Sequence, residues 1–212
     1  MISEITSFGD IMIVTLIEKK GKYKHKVFLD YDYAFWLTWK ELYFWDIKEE
    51  TEVSEEQYMK IMKESIIPKA KRKALSYLEK SNRTEQEVRD KLKRELYQEH
   101  VIDIVIEYLH QYHYLNDNWV VENFIRSNQA NHSRSWMEMK LRQKGIDKDK
   151  LQIFFEEGYS EDYAIQKEIK KKLKGRERIT WEERNKILGY LYRKGYGMRE
   201  ARKSLEQIEI ER

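Results

Sequence analysis

Three leucines, Leu92, Leu141 and Leu191, recur at separations of 49 and 50 residues, each in the same local setting. Val88, Met137 and Ile187 stand four residues before them. Leu96, Gly145 and Gly195 stand four residues after, each followed by an apolar residue: Tyr97, Ile146 or Tyr196. A period near fifty that carries helix starts and stops in register marks a helical repeat array, in which one unit cannot bury its apolar face alone. The competing reading is one irregular helical domain whose spacings agree by chance. The agreement of start and stop signals in the same register disfavours it.

The helices can be placed from their own signals. Ile67, Ala70, Ala74 and Leu78 mark one face of a helix near Pro68, a residue tolerated in a first turn. Thr84-Glu85-Gln86-Glu87 is a capping box that leads into Val88, Leu92 and Leu96. Val101, Ile104, Val105, Tyr108, Leu109 and Tyr112 follow the amphipathic helix template. The grammar then recurs, with starts at Asn116 or Asp117, at Ser133 and at Asp147. The Ser133 helix closes at Gly145 and the Asp147 helix at Gly158. Ser160 opens a further helix through Ala164, Ile165, Ile169 and Leu173. Thr180-Trp181-Glu182-Glu183 caps the next, which stops at Gly195, and Met198 to Ile208 completes the set.

Upstream of Pro68, the only proline, the pattern is different. Ile11 to Ile17 reads as a strand and Glu18-Lys19-Lys20-Gly21 as a turn. Tyr23 to Leu29 alternates as a second strand, Asp30-Tyr31-Asp32 turns, and Tyr33 to Leu37 is a third. Thr38 caps a short helix through Phe44, and Ser54-Glu55-Glu56-Gln57 opens another. The expected fold is therefore mainly α: three tandem three-helix repeats preceded by a small antiparallel β-meander, an α+β N-terminal extension. The expected segments are 1–67 for the meander and its short helices, then 68–117, 118–162 and 163–212 for the three repeats.

Composition narrows the function classes. Charged residues make up 37% of the chain, and an apolar fraction of 41% with 13% aromatic residues argues for a packed core rather than disorder. With no cysteine, a disulfide framework and a Cys-based zinc site are both excluded. No leader pattern follows Met1, and the longest apolar run, Ile11 to Ile17, is far too short to span a bilayer, so a cytoplasmic location is expected. The eight glycines support neither a GxGxxG nor a GxxxxGK[ST] motif. No GxSxG is present, and the serines lie mostly at helix starts, where capping explains them. His110 and His113, with Glu107 a turn earlier, have helical spacing for two metal ligands. No second Glu-x-x-His segment or HExxH accompanies them, and a polar helix end is the better reading. No catalytic residue, metal or cofactor is expected.

The charge is uneven. Net charge is +3 overall, yet residues 163–212 hold 15 basic and 8 acidic side chains, a net of +7, against −1 for 118–162 and −3 for 1–117. Lys167, Lys170, Lys171 and Lys174 share a helical face opposite Ile165, Ile169 and Leu173, and Arg176 and Arg178 follow before Trp181. Such a stripe can track phosphates, and fits an ordinary solvated face equally well. Arg126, Arg134, Lys140, Arg142 and Lys144 form a second, looser basic set. Trp119, Trp136 and Trp181 lie near helix starts, where packing between repeats is a better expectation than stacking on bases.

Ala74-Leu75-x-x-Leu78 with Arg83-Thr84-Glu85-x-Glu87-Val88-x-x-Lys91-Leu92 resembles the first-repeat signature of the RecX family. Tyr114-Leu115-Asn116-Asp117-Asn118-Trp119-Val120 is similar to that family's GYLDDxxYA stretch, and Met139 to Asp147 to its IxxELxxKGI stretch. The likeness covers about 70 to 212 and weakens in the third repeat. Tyr114 replaces a glycine, Asn116 an acidic residue, and the turn Asn131-His132-Ser133-Arg134 lacks the family's glycine. The resemblance implies an elongated, curved array that lodges in the groove of the RecA–single-stranded DNA filament. Its function would be to modulate, chiefly inhibit, recombinase and coprotease activity in DNA repair and recombination. The partners implied are the RecA filament and single-stranded DNA within or near it, with no membrane and no small-molecule substrate. With that resemblance, both basic sets become expected contacts to RecA-bound DNA or to acidic groove surface. The alternative is a helical-repeat protein that binds nucleic acid directly, without a RecA target.

Overall fold

The computed structural model describes residues 11–156 and 159–210, so the expected stop at Gly158 lies outside the described residues. The chain forms two compact units that divide between Leu115 and Asn116.

The first unit opens with an antiparallel sheet of four strands. These are β1 (Ile11–Lys20), β2 (Lys24–Leu29), β3 (Asp32–Leu37) and, beyond helix α1 (Trp39–Phe44), β4 (Glu52–Ser54), in the order β3-β2-β1-β4. Period-two alternation buries Met12, Val14, Val27, Leu29, Phe35 and Leu37. The β2–β3 turn holds Asp30 and Tyr31 at φ 48° and 72°. Two successive positive φ values match the twist of a tight hairpin. Side chains from both sides hold this turn: Asp30 Oδ1 accepts from the Ile13 N–H at 3.0 Å, and Thr15 Oγ1 from the Tyr31 N–H at 2.9 Å. Strand β4, which pairs with Ile11–Ile13, makes the sheet larger than the expected three-stranded meander. Three residues, Glu-Val-Ser, are too few to show a period in sequence.

Thr38 and Ser54 cap α1 and α2 (Glu55–Ile61) as their spacing requires. Pro68 does not start a new helix, however. Helix α2 runs through a π-helical turn, Met62–Ile66, into α3 (Ile67–Leu78), with the Ile67 N–H bonded to Met62 O. The wide turn sits just ahead of the proline, whose missing N–H and ring break the tighter α ladder. With α4 (Glu85–Arg94) and α5 (Glu99–Gln111), this helix joins the sheet in one continuous core from Met12 to Leu115. The change of pattern at Pro68 is therefore a change of secondary structure inside one core. Polar contacts cross the same junction: Tyr33 Oη donates to Leu96 O at 2.6 Å, Gln98 Nε2 donates to Tyr33 O, and Lys24 Nζ bonds Glu95 at 2.7 Å.

The second unit holds α6 (Asp117–Asn128), α7 (Arg134–Gln143) and α8 (Lys148–Glu156) around Val121, Ile125, Met137, Leu141, Ile146, Leu151 and Phe155. It then holds α9 (Asp162–Leu173), α10 (Trp181–Arg193) and α11 (Met198–Glu206) around Ala164, Ile165, Ile169, Ile187, Leu191, Tyr196, Ala201 and Leu205. A two-residue parallel ladder, β5 (Arg178–Ile179) with β6 (Glu209–Ile210), brackets the last two helices and had no signal in the sequence. Helix α9 begins one residue later than Ser160 suggested, with Glu161 as its cap; Ser160 Oγ accepts from the Asp162 N–H at 3.1 Å.

The fifty-residue register has a common geometry. Leu96, Gly145 and Gly195 all adopt positive φ, at 72°, 85° and 82°. The next residue's N–H in each case reaches back to the carbonyl of Leu92, Leu141 or Leu191, at 3.1 Å in all three. This is the six-to-one bond of a left-handed helix stop. It drops Tyr97, Ile146 and Tyr196 into their cores, all less than a tenth exposed. The same stop closes α5 at His113, φ 56°, where the Tyr114 N–H bonds Leu109 O at 2.9 Å.

Gly195 is doubly constrained. A Cβ there would stand 3.1 Å from both Ser133 Oγ and Ser135 Cβ, whereas a Cβ on Gly175, also at positive φ, meets nothing. Gly175→Ala is expected to cost about 1 kcal/mol from left-handed strain alone. Gly195→Ala is expected to cost at least about 1 kcal/mol more, from overpacking against α7. Urea unfolding of the two variants measures the difference, and equal losses would refute the close-approach account.

Candidate partner and nucleic-acid interface

The basic residues of the second unit divide by what they touch. Helix α9 buries Ala164, Ile165, Glu168 and Ile169 and leaves Lys170, Lys171 and Lys174 exposed, while Lys167, expected on the same face, is half-buried. Glu168 is the organising group on the buried side. Its carboxylate, 3% exposed, accepts from Lys171 and Lys194 at 2.8 Å each and from Tyr190 Oη at 2.6 Å. Burial by itself would raise this carboxyl. The three donors outweigh burial and hold it down to about 2. Lys194 is driven up correspondingly by the same carboxylate, and Lys172 lies 3.9 Å over the Tyr190 ring.

Most of the expected contact residues are similarly engaged. Lys167 donates to Asn131 Oδ1 at 2.5 Å, Arg176 pairs with Glu183 at 2.8 Å, and Arg178 with Glu209 at 2.8 Å across the β5–β6 ladder. Arg134 pairs with Glu138 at 2.6 Å and lies over Phe155. Lys140 bonds Gln143 at 3.4 Å and lies over Trp136, and Lys144 is half-buried and engaged. Among the described residues, Lys170, Lys174, Arg126 and Arg142 are exposed with no hydrogen-bond or ion-pair partner. These four are the cations of the two expected sets whose side chains are uncommitted.

A second carboxylate explains why the helices of this unit hold their order. Glu161, nearly buried, accepts from the Arg134 N–H at 2.5 Å and from the Gly197 N–H at 3.2 Å. It therefore satisfies free N–H groups at the starts of α7 and α11 together. Beside it, Ser133 Oγ donates to Lys194 O at 2.7 Å and accepts from the Trp136 N–H at 3.3 Å. An open groove of about 490 Å³ at this junction is lined by Arg134, Tyr159, Glu161, Arg199 and Lys203, among others. Arg199 and Lys203 were missing from the expected sites. Their signal in the sequence is two basic residues four apart on one face of α11.

The tryptophans separate as well. Trp136 packs on Phe124 at 6.1 Å and on His132 at 3.7 Å, so it packs within the α6–α8 cluster rather than between repeats. Trp119 and Trp181 do not: they are 46% and 58% exposed, with the Arg184 guanidinium 5.2 Å from the Trp181 ring. Each stands within the first three residues of its helix, turned away from the core. His110 Nε2 lies 2.8 Å from Glu85 Oε2, while His113 is the left-handed stop of α5, a conformation in which His is enriched. Among the described residues no group of three or more His, Asp or Glu side chains could hold a metal ion. No described helix is long and apolar enough to cross a membrane.

Comparison with known proteins places this geometry. The family model described as RecX, first three-helix domain, matches residues 70–109. The regulatory protein RecX of Clostridium beijerinckii is 32% identical over 188 residues, covering 85% of this chain and 87% of its own. The regulatory protein RecX of Bacillus velezensis is 30% identical over 92% of this chain and 76% of its own. Among solved structures, a crystal structure of regulatory protein RecX aligns with a TM-score of 0.62 at 20% identity, covering 92% of this chain and 99% of that one. RecX from Lactobacillus salivarius aligns at 0.59 and 24%, covering 66% and 95%. At these identities the two structures speak to the fold.

The Glu168 cluster gives a pH-dependent test. A carboxyl that sits at about 2 when folded and at an ordinary 4.5 when unfolded contributes stability above 4.5, and loses it as pH falls from 4.5 toward 2. Glu168→Gln is expected to cost on the order of 2 kcal/mol at pH 7, with the gap to wild type closing below pH 4.5. Urea midpoints measured across pH 2 to 7 check this; a gap that stays constant would assign the loss to packing.

Proposed function

This chain belongs to the RecX family, and on that premise we propose that it regulates the RecA recombinase by binding the RecA–single-stranded DNA filament in its groove, chiefly as an inhibitor. The observation that carries this reading is the family likeness, which extends over most of the chain and most of its relatives. The second observation in its favour is chemical: among the described residues, Lys170, Lys174, Arg126 and Arg142 are left without a side-chain partner on a helical scaffold. A regulator of this kind needs no reaction chemistry of its own, since the filament hydrolyses the nucleotide.

We read α3–α5, α6–α8 and α9–α11 as three units of one repeat, occupying roughly 68–117, 118–162 and 163–212. Their shared left-handed stop supports this. The contact set we favour is narrower than the full list of basic residues. Lys170, Lys174, Arg126 and Arg142 can meet phosphate or an acidic surface without first breaking an internal bond. Lys171 and Arg134 are poorer choices, because their removal would disturb Glu168 or the pair with Glu138.

The test is a titration of RecA's single-strand-dependent ATP hydrolysis and strand exchange. The wild-type protein is expected to suppress both at fewer than one copy per RecA. Lys170→Ala/Lys174→Ala is expected to need about tenfold more protein for the same suppression, with a shallower salt dependence, by about 1.4 in log–log slope if both meet single-strand phosphates. If a well-folded wild-type protein leaves both activities unchanged, the filament reading is wrong. Equal affinity for bare single strands with and without RecA would favour direct nucleic-acid binding instead.

A further inference from the structure

The N-terminal unit is net acidic over its length, yet one end of its sheet is not. Between Lys19 and Lys26 five lysines and a histidine surround the β1–β2 turn. The nearest acidic residue in sequence, Glu18, is already paired with Lys26 at 3.0 Å. Lys24 is drawn into a cluster in which it, Lys73 and Lys91 share the single carboxylate of Glu95, at 2.7 to 2.9 Å. Lys69 takes Glu41 at 2.9 Å, and both Lys24 and Lys69 lie over the Trp36 ring, at 4.5 and 4.2 Å. Lys24, Lys26 and Lys69 are thereby committed to Glu95, Glu18 and Glu41, while Glu49 accepts the Ile17 N–H at 2.8 Å. Among the described residues, Lys19, Lys20, Lys22 and Lys40 are exposed with no acidic partner.

Aromatic faces stand at the same end. Trp39 and Tyr43, one turn apart on α1, are 72% and 86% exposed, and Tyr23 at the hairpin tip is exposed as well. Trp39 adjoins the hairpin through the His25 ring, 5.9 Å away, and His25 pairs across the sheet with Lys19. Neither ring is needed by the core, which α1 joins through Leu42. Exposed rings next to unpaired cations suit a polyanion that also offers flat, unstacked bases. A duplex hides its base faces. A polypeptide partner would have to bring both an apolar patch and several carboxylates.

We propose that this end of the N-terminal sheet is a docking surface for single-stranded DNA, with bases stacking on Trp39 and Tyr43 and phosphates meeting Lys19, Lys20, Lys22 and Lys40. The residues of this surface all belong to the first unit. The choice of DNA as the polyanion rests on the filament reading above; the stacking surface itself rests on the geometry.

The experiment measures fluorescence anisotropy of a labelled oligothymidylate with the full-length protein, across a salt series. Trp39→Ala/Tyr43→Ala is expected to weaken binding at least tenfold at fixed salt. Lys20→Ala/Lys22→Ala is expected to reduce the log–log salt slope by about 1.4, at about 0.7 per phosphate contact. The lysine pair lies on an exposed turn, so it decides the matter if the aromatic pair lowers the melting temperature. The proposal is overturned if the wild type does not bind the bare strand, or if the lysine pair binds it like wild type. It is also overturned if the variants lose only filament binding while keeping bare-strand affinity, which would assign the surface to a protein. Suppression of RecA's ATP hydrolysis is measured on the same proteins. Its absence in the wild type would refute the filament reading and leave the bare-strand result to decide this one.

Discussion

Helices α4, α7 and α10 each end on a residue forced into the left-handed region, and much of the helical architecture follows from that turn. At Leu96, Gly145 and Gly195 the chain reverses, the next N–H closes a bond to a carbonyl five residues back, and one apolar side chain is delivered to the core. The turn fixes where the next helix, α5, α8 or α11, begins, and so which face it can bury. Glycine takes this conformation at no steric cost, and two of the three positions use it. Leu96 does not, and its position is over-determined from outside: its carbonyl accepts the Tyr33 hydroxyl, and Gln98 donates to Tyr33 O. The sheet thus buttresses the one stop that sequence makes least favourable.

That buttress changes the meaning of the N-terminal segment. A sheet attached ahead of a repeat array can be an independent module or part of the first unit's core. The continuous cluster from Met12 to Leu115, and the helix that carries Pro68 through a π-helical turn, make it the latter. A strand residue such as Val27 and a helix residue such as Leu92 are therefore members of one cooperative unit.

The helix caps and stops were legible because their signals are local. Capping residues Thr84, Ser133 and Thr180, the apolar face of α9 and the stops at Gly145 and Gly195 all act within one or two turns, and all stand where the sequence put them. What escaped depends on partners distant in sequence. Strand β4 exists because Ile11–Ile13 needs a neighbour, and β5–β6 because two short segments happen to meet. Trp119 and Trp181 were expected to pack because tryptophan usually does; whether a helix's first turn faces a neighbour cannot be read from that turn. The candidate site was legible only as a list. The list could not reveal that Lys171 is tied to a buried Glu168, Arg178 to Glu209 across a ladder, and Lys167 to Asn131.

Charge in such a chain depends on the fold in the same way. Net charge over a segment counts ions; interaction depends on which ions remain after the fold has paired the others. Segment 163–212 carries +7, yet several of its cations are consumed by Glu168, Glu183 and Glu209. Segment 1–117 carries −3, yet several of its carboxylates are already committed: Glu95 to three lysines, Glu41 to Lys69 and the Thr38 cap, and Glu85 to Arg89 and His110. Glu95 is accordingly driven well below the usual carboxylate range, the three surrounding ammonium groups outweighing its burial. That carboxylate takes Lys24 from the hairpin together with Lys73 and Lys91, and leaves Lys19, Lys20 and Lys22 without an acidic partner. Binding surfaces in a protein this rich in ions are set by the residue of unpaired charge, and that quantity belongs to the fold rather than to the composition.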